Sequence, residues 1–142
     1  MPNIVAAVLV SGNRLGLLKR SRRVEGDPDR WHCVTGYLPS GSDPLAHAHI
    51  EINEETGLAP VDLSLVRRGK RLELRDLRDN AWHVFPFLFD TPRSDLILNW
   101  EHDEYRWVRP AEMNGLTTVP WLRDVLHAVG RPDLHEEGAY TG

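Results

Sequence analysis

The stretch between Pro44 and Gly57 constrains this chain more than any other. Ser42 or Asp43 can cap a helix there, Pro44 suits its first turn, and Gly57 suits its exit, leaving about thirteen residues between. At 100° per residue, with Glu51 at the origin, His47 falls at about −40°, Glu54 at about −60° and Glu55 at about +40°. One imidazole and three carboxylates therefore share an arc of about 100°. Ile50 and Ile52 flank that arc at about −100° and +100°, while Ala46, His49, Asn53 and Thr56 lie opposite. The pattern predicts a helix held by two apolar flanks, with one polar face in solvent and the carboxylates turned toward something else.

Carboxylates this close repel one another by a few tenths of a kcal/mol per pair, roughly, even when exposed. A cation relieves the repulsion. Hard oxygen ligands suit Mg²⁺ or Mn²⁺, and an ion held by a few carboxylates keeps positions open for water and phosphate oxygens. Spacing alone leaves a second reading open, a solvated acidic patch near a helix C-terminus.

Around this helix the chain reads as several strands in irregular order. Residues 4–10 (IVAAVLV) read as a strand buried on both faces, turning at Ser11 to Asn13 into a hairpin partner over 15–19. A charged loop over 21–30 leads to the short approach WHCV and to Thr35-Gly36. Residues 61–67 and 71–75 alternate moderately, and 81–91 (AWHVFPFLFDT) form the best later strand, where Pro86 predicts an edge position or a bulge. EYRWVRP (104–110) adds a strand, and the stripe Trp121, Leu122, Val125, Leu126 and Val129 reads as a second helix. Two helices among strands, without regular strand-helix alternation, argue for α+β with a mixed sheet. The length fits one domain over 1–130, with 131–142 as a loose tail.

A formal charge of −4, with basic residues scattered in runs such as KRSRR (19–23) and RRGKR (67–71), makes a poor general nucleic-acid binder. The single cysteine, Cys33, excludes an intramolecular disulfide and a multi-cysteine zinc site, and reads as buried packing. The N-terminal apolar run is too short to span a membrane and lacks a basic leader, so the expected location is the cytoplasm.

Gly36, Glu51, Ile52, Glu54, Glu55, Gly57 and Leu58 match, in register, a signature that resembles the Nudix hydrolases. The resemblance implies an α/β/α sandwich with a mixed, largely antiparallel sheet. It implies that Glu51, Glu54 and Glu55 bind catalytic Mg²⁺, with Mn²⁺ as the alternative, and that the ions hold a diphosphate and activate water for attack on phosphorus. A further acid often comes from a later loop in this family. Glu101, Asp103 and Glu104 are the local candidates, with Glu101 and Glu104 preferred.

The chain departs from the signature at two positions, with Ser42 where a glutamate is expected and Ile50 where an arginine is expected. In the family those side chains lie together and help hold the loop and the ligand carboxylates. Losing both is nearly neutral for folding, because no charge is left stranded, but it removes support from the metal site. Tyr37 replaces the family's usual second glycine, and His47, one turn before Glu51, can orient a carboxylate or phosphate.

For the substrate side, Gly36, Tyr37 and His47 are joined by Trp31 and Trp82, which border loops and offer flat surfaces, and by Arg68, which can reach a phosphate. The leading reading is metal-dependent cleavage of a phosphoanhydride in a nucleoside diphosphate linked to another moiety, or in a related organic diphosphate. A catalytically weak ligand-binding module on the same fold is the alternative. The expected partner is a small phosphorylated molecule; a homodimer is left open.

Overall fold

The computed structural model describes residues 2–136. Strands β1 (Asn3–Ser11) and β2 (Arg14–Arg20) form the expected hairpin, but they pair only beside the turn, through Leu9 with Gly16, Val10 with Leu15 and Ser11 with Arg14. Beyond that the arms diverge and the segment from Trp31 to Tyr37 fills the gap. Its first part, β3 (Trp31–His32), pairs antiparallel with β2, and its second, β4 (Val34–Tyr37), pairs antiparallel with β1. The short approach read from WHCV is thus two strands, divided at Cys33.

After helix α1 (Pro44–Thr56) come β5 (Ser64–Arg68), β6 (Leu72–Arg75), β7 (Ala81–Asp90) and β8 (His102–Val108), followed by α2 (Leu122–Ala128) and a short α3 (Asp133–Glu136). β7 runs parallel to β1, and every other strand-to-strand pairing is antiparallel; an isolated bridge from Trp31 to Thr118 is parallel. The sheet is mixed and largely antiparallel, as expected.

Pro86 sits neither on an edge strand nor in a bulge of its own. β7 is interior, with β1 on one side and β5 and β6 sharing the other. Pro86 lies opposite the junction between those two, where its carbonyl accepts from the Gly69 amide at 2.9 Å. A residue's N–H and C=O point to the same side of a strand, so the missing donor faces the gap between β5 and β6, where no ladder bond is lost.

β1 is buried on both faces, as IVAAVLV predicts. Ala6, Val8 and Val10 pack on one side with Leu122, Val125, Leu126 and Val129 of the α2 region, while Val5, Ala7 and Leu9 pack on the other with Ala48 and Ile52 of α1. Period-two alternation thus feeds two cores, one under each helix. The segment expected to be a loose tail begins with α3, whose Leu134 is buried in the α2-side core; residues 137–142 lie outside the described residues.

Candidate active site

Local chemistry sets α1. Asp43, rather than Ser42, caps it by accepting from the Ala46 amide at 2.9 Å, and Gly57 closes it in the left-handed region at φ 77°. The buried face comprises Ala48, Ile52, Glu55 and Thr56, whereas Ile50 is 52% exposed. The symmetric pair of apolar flanks is therefore not what holds the helix: Ile52 packs on the sheet and Ile50 faces water. The carboxylate arc accordingly runs from interior to solvent. Glu55 is 1% exposed, Glu51 lies at the margin, and Glu54 is exposed.

β4 runs beneath Glu51. A Cβ added at Gly36 would overlap the Glu51 carboxyl group, so only glycine lets this side chain lie against the strand. Burial first, then the charges of Glu54 and Glu101, lift the Glu51 carboxyl from its ordinary 4.5 to about 7. Burial, Glu101 and Glu51 push Glu55 well upward; Arg20 and the Thr35 backbone pull it back, yet neither Glu55 carboxylate oxygen reaches a hydrogen-bond partner. Glu101 is the late acid whose charge acts on both. It precedes β8, where its backbone accepts from the Ser21 amide at 2.8 Å and its carboxylate from Asn99 Nδ2 at 3.2 Å.

Glu104 is placed differently. It is exposed on β8, opposite Lys19, and its Oε1 pairs with Arg106 Nε at 3.3 Å. Trp31 is likewise not brought to the cavity; it is 6% exposed in the α2-side core, with the Arg106 guanidinium 5.1 Å over its ring. Arg68 lies on β5 over Phe87 at 5.3 Å. Cys33 is buried, and burial followed by the Glu55 charge pushes its thiol far above the ordinary range, which leaves it as packing.

Beside the carboxylates opens a cavity of about 490 Å³. Gly36, Thr35 and Glu101 line the end nearest α1, and Tyr37, Trp82, Trp121 and His32 supply aromatic walls. Sequence reasoning found Tyr37 and Trp82 but missed His32 and Trp121. Trp121 was assigned to a helical stripe, yet it turns toward the cavity, with its ring 4.5 Å from His32 and 6.2 Å from Trp82. His32 is buried, and burial, then Arg20 and His102, lower it to about 3; both ring nitrogens lack partners, as does Trp82 Nε1.

A NUDIX domain model matches residues 1–129. The chain belongs to the NUDIX family. An RNA pyrophosphohydrolase of Sphingopyxis alaskensis is 26% identical over 139 residues, 87% of each chain. Among solved structures, the Escherichia coli dihydroneopterin triphosphate pyrophosphohydrolase overlays with a TM-score of 0.73 at 21% identity, over 89% of this chain and 94% of that one. The MutT protein from Methanosarcina mazei gives 0.70 at 22% identity, over 89% and 90%. The family match and the pyrophosphohydrolase relative class this Nudix chain as a Nudix-type pyrophosphohydrolase.

Among the described residues no group of three His, Cys, Asp or Glu side chains is already gathered around one point. The donor chemistry nonetheless suits a hard divalent ion, because two buried carboxylate oxygens of Glu55 have no partner and Glu51 and Glu101 raise the cost of charging it.

That strain has a measurable consequence. Unfolding returns Glu51 and Glu55 to ordinary carboxylate behaviour near 4.5, so above that value the folded chain binds more protons than the unfolded chain and stability falls as pH rises through about 7. His32 and His102, lowered to about 3 and about 4, act in the opposite sense, and their loss of stability is confined to pH below their ordinary 6.5. Between pH 6.5 and the ordinary thiol range near 9, where buried Cys33 begins to add a loss of the same sign, the carboxylate effect dominates. In chelator, Tm falls by roughly 5 °C between pH 6.5 and 8.5, and Mn²⁺ removes the slope. Calorimetry giving a flat Tm in chelator would count against strained carboxylates.

Proposed function

We propose that this Nudix protein hydrolyses a phosphoanhydride in a nucleoside diphosphate linked to another group, or in a related organic diphosphate, with Mg²⁺ or Mn²⁺ as cofactor. One observation carries the reading: a cavity lined by Gly36, against which the Glu51 carboxyl lies, and by Glu101 is also walled by Trp82, Trp121 and His32. A diphosphate at one end and a planar ring at the other fit that arrangement, since aromatic faces stack on any base.

Glu51, Glu54, Glu55 and Glu101 would hold the ions. When bound, the metal supplies charge to polarise the phosphoryl oxygens and to acidify a water molecule. The chain's own part is positional. Gly36 lets Glu51 lie against β4, and His47 stands beside Glu51 with Nε2 3.8 Å from Oε2. The attacking water forms the new P–O bond, its proton passes to a carboxylate of the set, and the bridging oxygen leaves with the other phosphate. Trp82 Nε1, buried without an acceptor, is a donor available to a carbonyl or ring nitrogen of the substrate.

The test is a panel of nucleoside triphosphates, dinucleoside polyphosphates, nucleotide sugars and other organic diphosphates, incubated with Mg²⁺ or Mn²⁺ and read as released phosphate, diphosphate and monophosphate. Turnover of at least one member that stops in chelator is the expected result. Binding without turnover across the panel favours the ligand-binding module. Trp82→Ala raises KM for the turned-over member by roughly 10-fold through lost stacking, with kcat little changed; a fall in kcat alone would remove the ring from substrate binding.

A further inference from the structure

Neither signature position that departs from the family pattern is repaired in place. Ser42 is exposed at the helix start and Ile50 faces solvent. Carboxylates that hold an ion need hydrogen-bond donors around them to fix their orientation, so the support has to enter from another element. Glu55 has the greatest need, being buried with both oxygens unpartnered.

An imidazole stands beside it. His102 Nε2 lies 3.6 Å from Glu55 Oε1, and both side chains are 1% exposed. His102 opens β8, where the register against β2 shifts between Lys19 and Arg20. The Ser21 amide pins the preceding residue by donating to the Glu101 carbonyl. One irregularity therefore places two neighbouring residues, Glu101 at the cavity and His102 behind Glu55. His47 stands in a similar relation to Glu51, so two of the three helix carboxylates each have an imidazole at hand.

We propose that His102 is a positioning residue whose Nε2–H orients the Glu55 carboxylate for metal binding, replacing from the sheet side the support that Ser42 and Ile50 do not provide. The inference rests on the metal-dependent reading above. A small movement of the carboxylate closes the 3.6 Å gap to hydrogen-bond distance. The Thr35 backbone also acts on Glu55 but makes no well-formed hydrogen bond that would hold the carboxylate away.

The test is Mn²⁺ titration of the whole chain, followed by the EPR signal of free Mn²⁺, for wild type, His102→Leu and His102→Gln, with Tm in chelator measured alongside. His102→Leu is expected to raise the Mn²⁺ Kd by about 10- to 100-fold without lowering Tm in chelator. His102→Gln, which keeps an N–H donor, is expected to stay within about threefold of wild type. Unchanged Mn²⁺ affinity in a folded His102→Leu protein overturns the proposal. So does an equal loss of affinity and Tm in both variants, which marks a merely structural residue. If His102→Leu does not fold, His102→Met takes its place: a loss of about tenfold or more supports the role and unchanged affinity overturns it. A wild-type chain that binds no Mn²⁺ overturns the metal reading and this inference together, whereas a binding wild type with indifferent variants overturns this inference alone.

Discussion

Glu55→Gln is expected to lower kcat/KM by about 10³-fold while making the metal-free protein more stable at pH 8, by roughly 3 to 6 °C in Tm. The two effects have one cause. Glu55 is buried, its oxygens lack hydrogen-bond partners, and the charges of Glu101 and Glu51 oppose its ionisation. At pH 8 the folded chain bears that cost and the unfolded chain does not, so a neutral amide of the same size removes a penalty. The amide also removes an anionic oxygen that would serve a hard divalent ion as a ligand. Opposite signs separate this outcome from ordinary damage to the fold, which lowers both quantities. Steady-state kinetics with Mg²⁺ and calorimetry in chelator measure them, and a loss of both would mean that Glu55 serves packing alone.

Gly36→Ala carries the second large effect. The added methyl group would overlap the Glu51 carboxyl, and Gly36 is held in β4 by its pairing with Val5 of β1, so the strand is not free to withdraw. The side chain must move instead. If Glu51 holds the metal as proposed, a displacement on the order of 1 Å is expected to cost about 10²-fold in kcat/KM. Glu51 moves toward solvent and its carboxyl returns toward its ordinary 4.5, which weakens the pH dependence of Tm in chelator. Activity close to wild type, or a pH dependence of Tm in chelator that does not change, would show that the close approach of Gly36 and Glu51 has no part in the chemistry.

The carboxylate helix was the most legible part of this chain, because its determinants are local. Asp43, Pro44 and Gly57 act within one turn of the residues they terminate, and 3.6-residue periodicity alone gathers Glu51, Glu54 and Glu55. Which flank packs is not a local property. Ile50 and Ile52 are equivalent on a helical wheel, and only the sheet beneath α1 makes one core and the other surface.

The same limit governed the site residues. Trp31 and Trp82 both border loops and look alike as candidates, but β3 buries Trp31 under Arg106 while Trp82 and Trp121 wall the cavity. Glu101 and Glu104 are three residues apart in one acidic run; the start of β8 sets the first near α1 and leaves the second paired with Arg106. His102 had no sequence signal, since an isolated histidine next to acids carries no periodicity to read.

What the sequence determined by itself was the helix, its acidic arc, the doubly buried first strand and the family signature, all set by spacing along the chain. The tertiary structure decided which carboxylate is buried, which aromatic rings face the cavity and which imidazole stands behind Glu55. Those depend on strand register and on the divergence of β1 from β2, where contacts join residues far apart in sequence and no local preference records them.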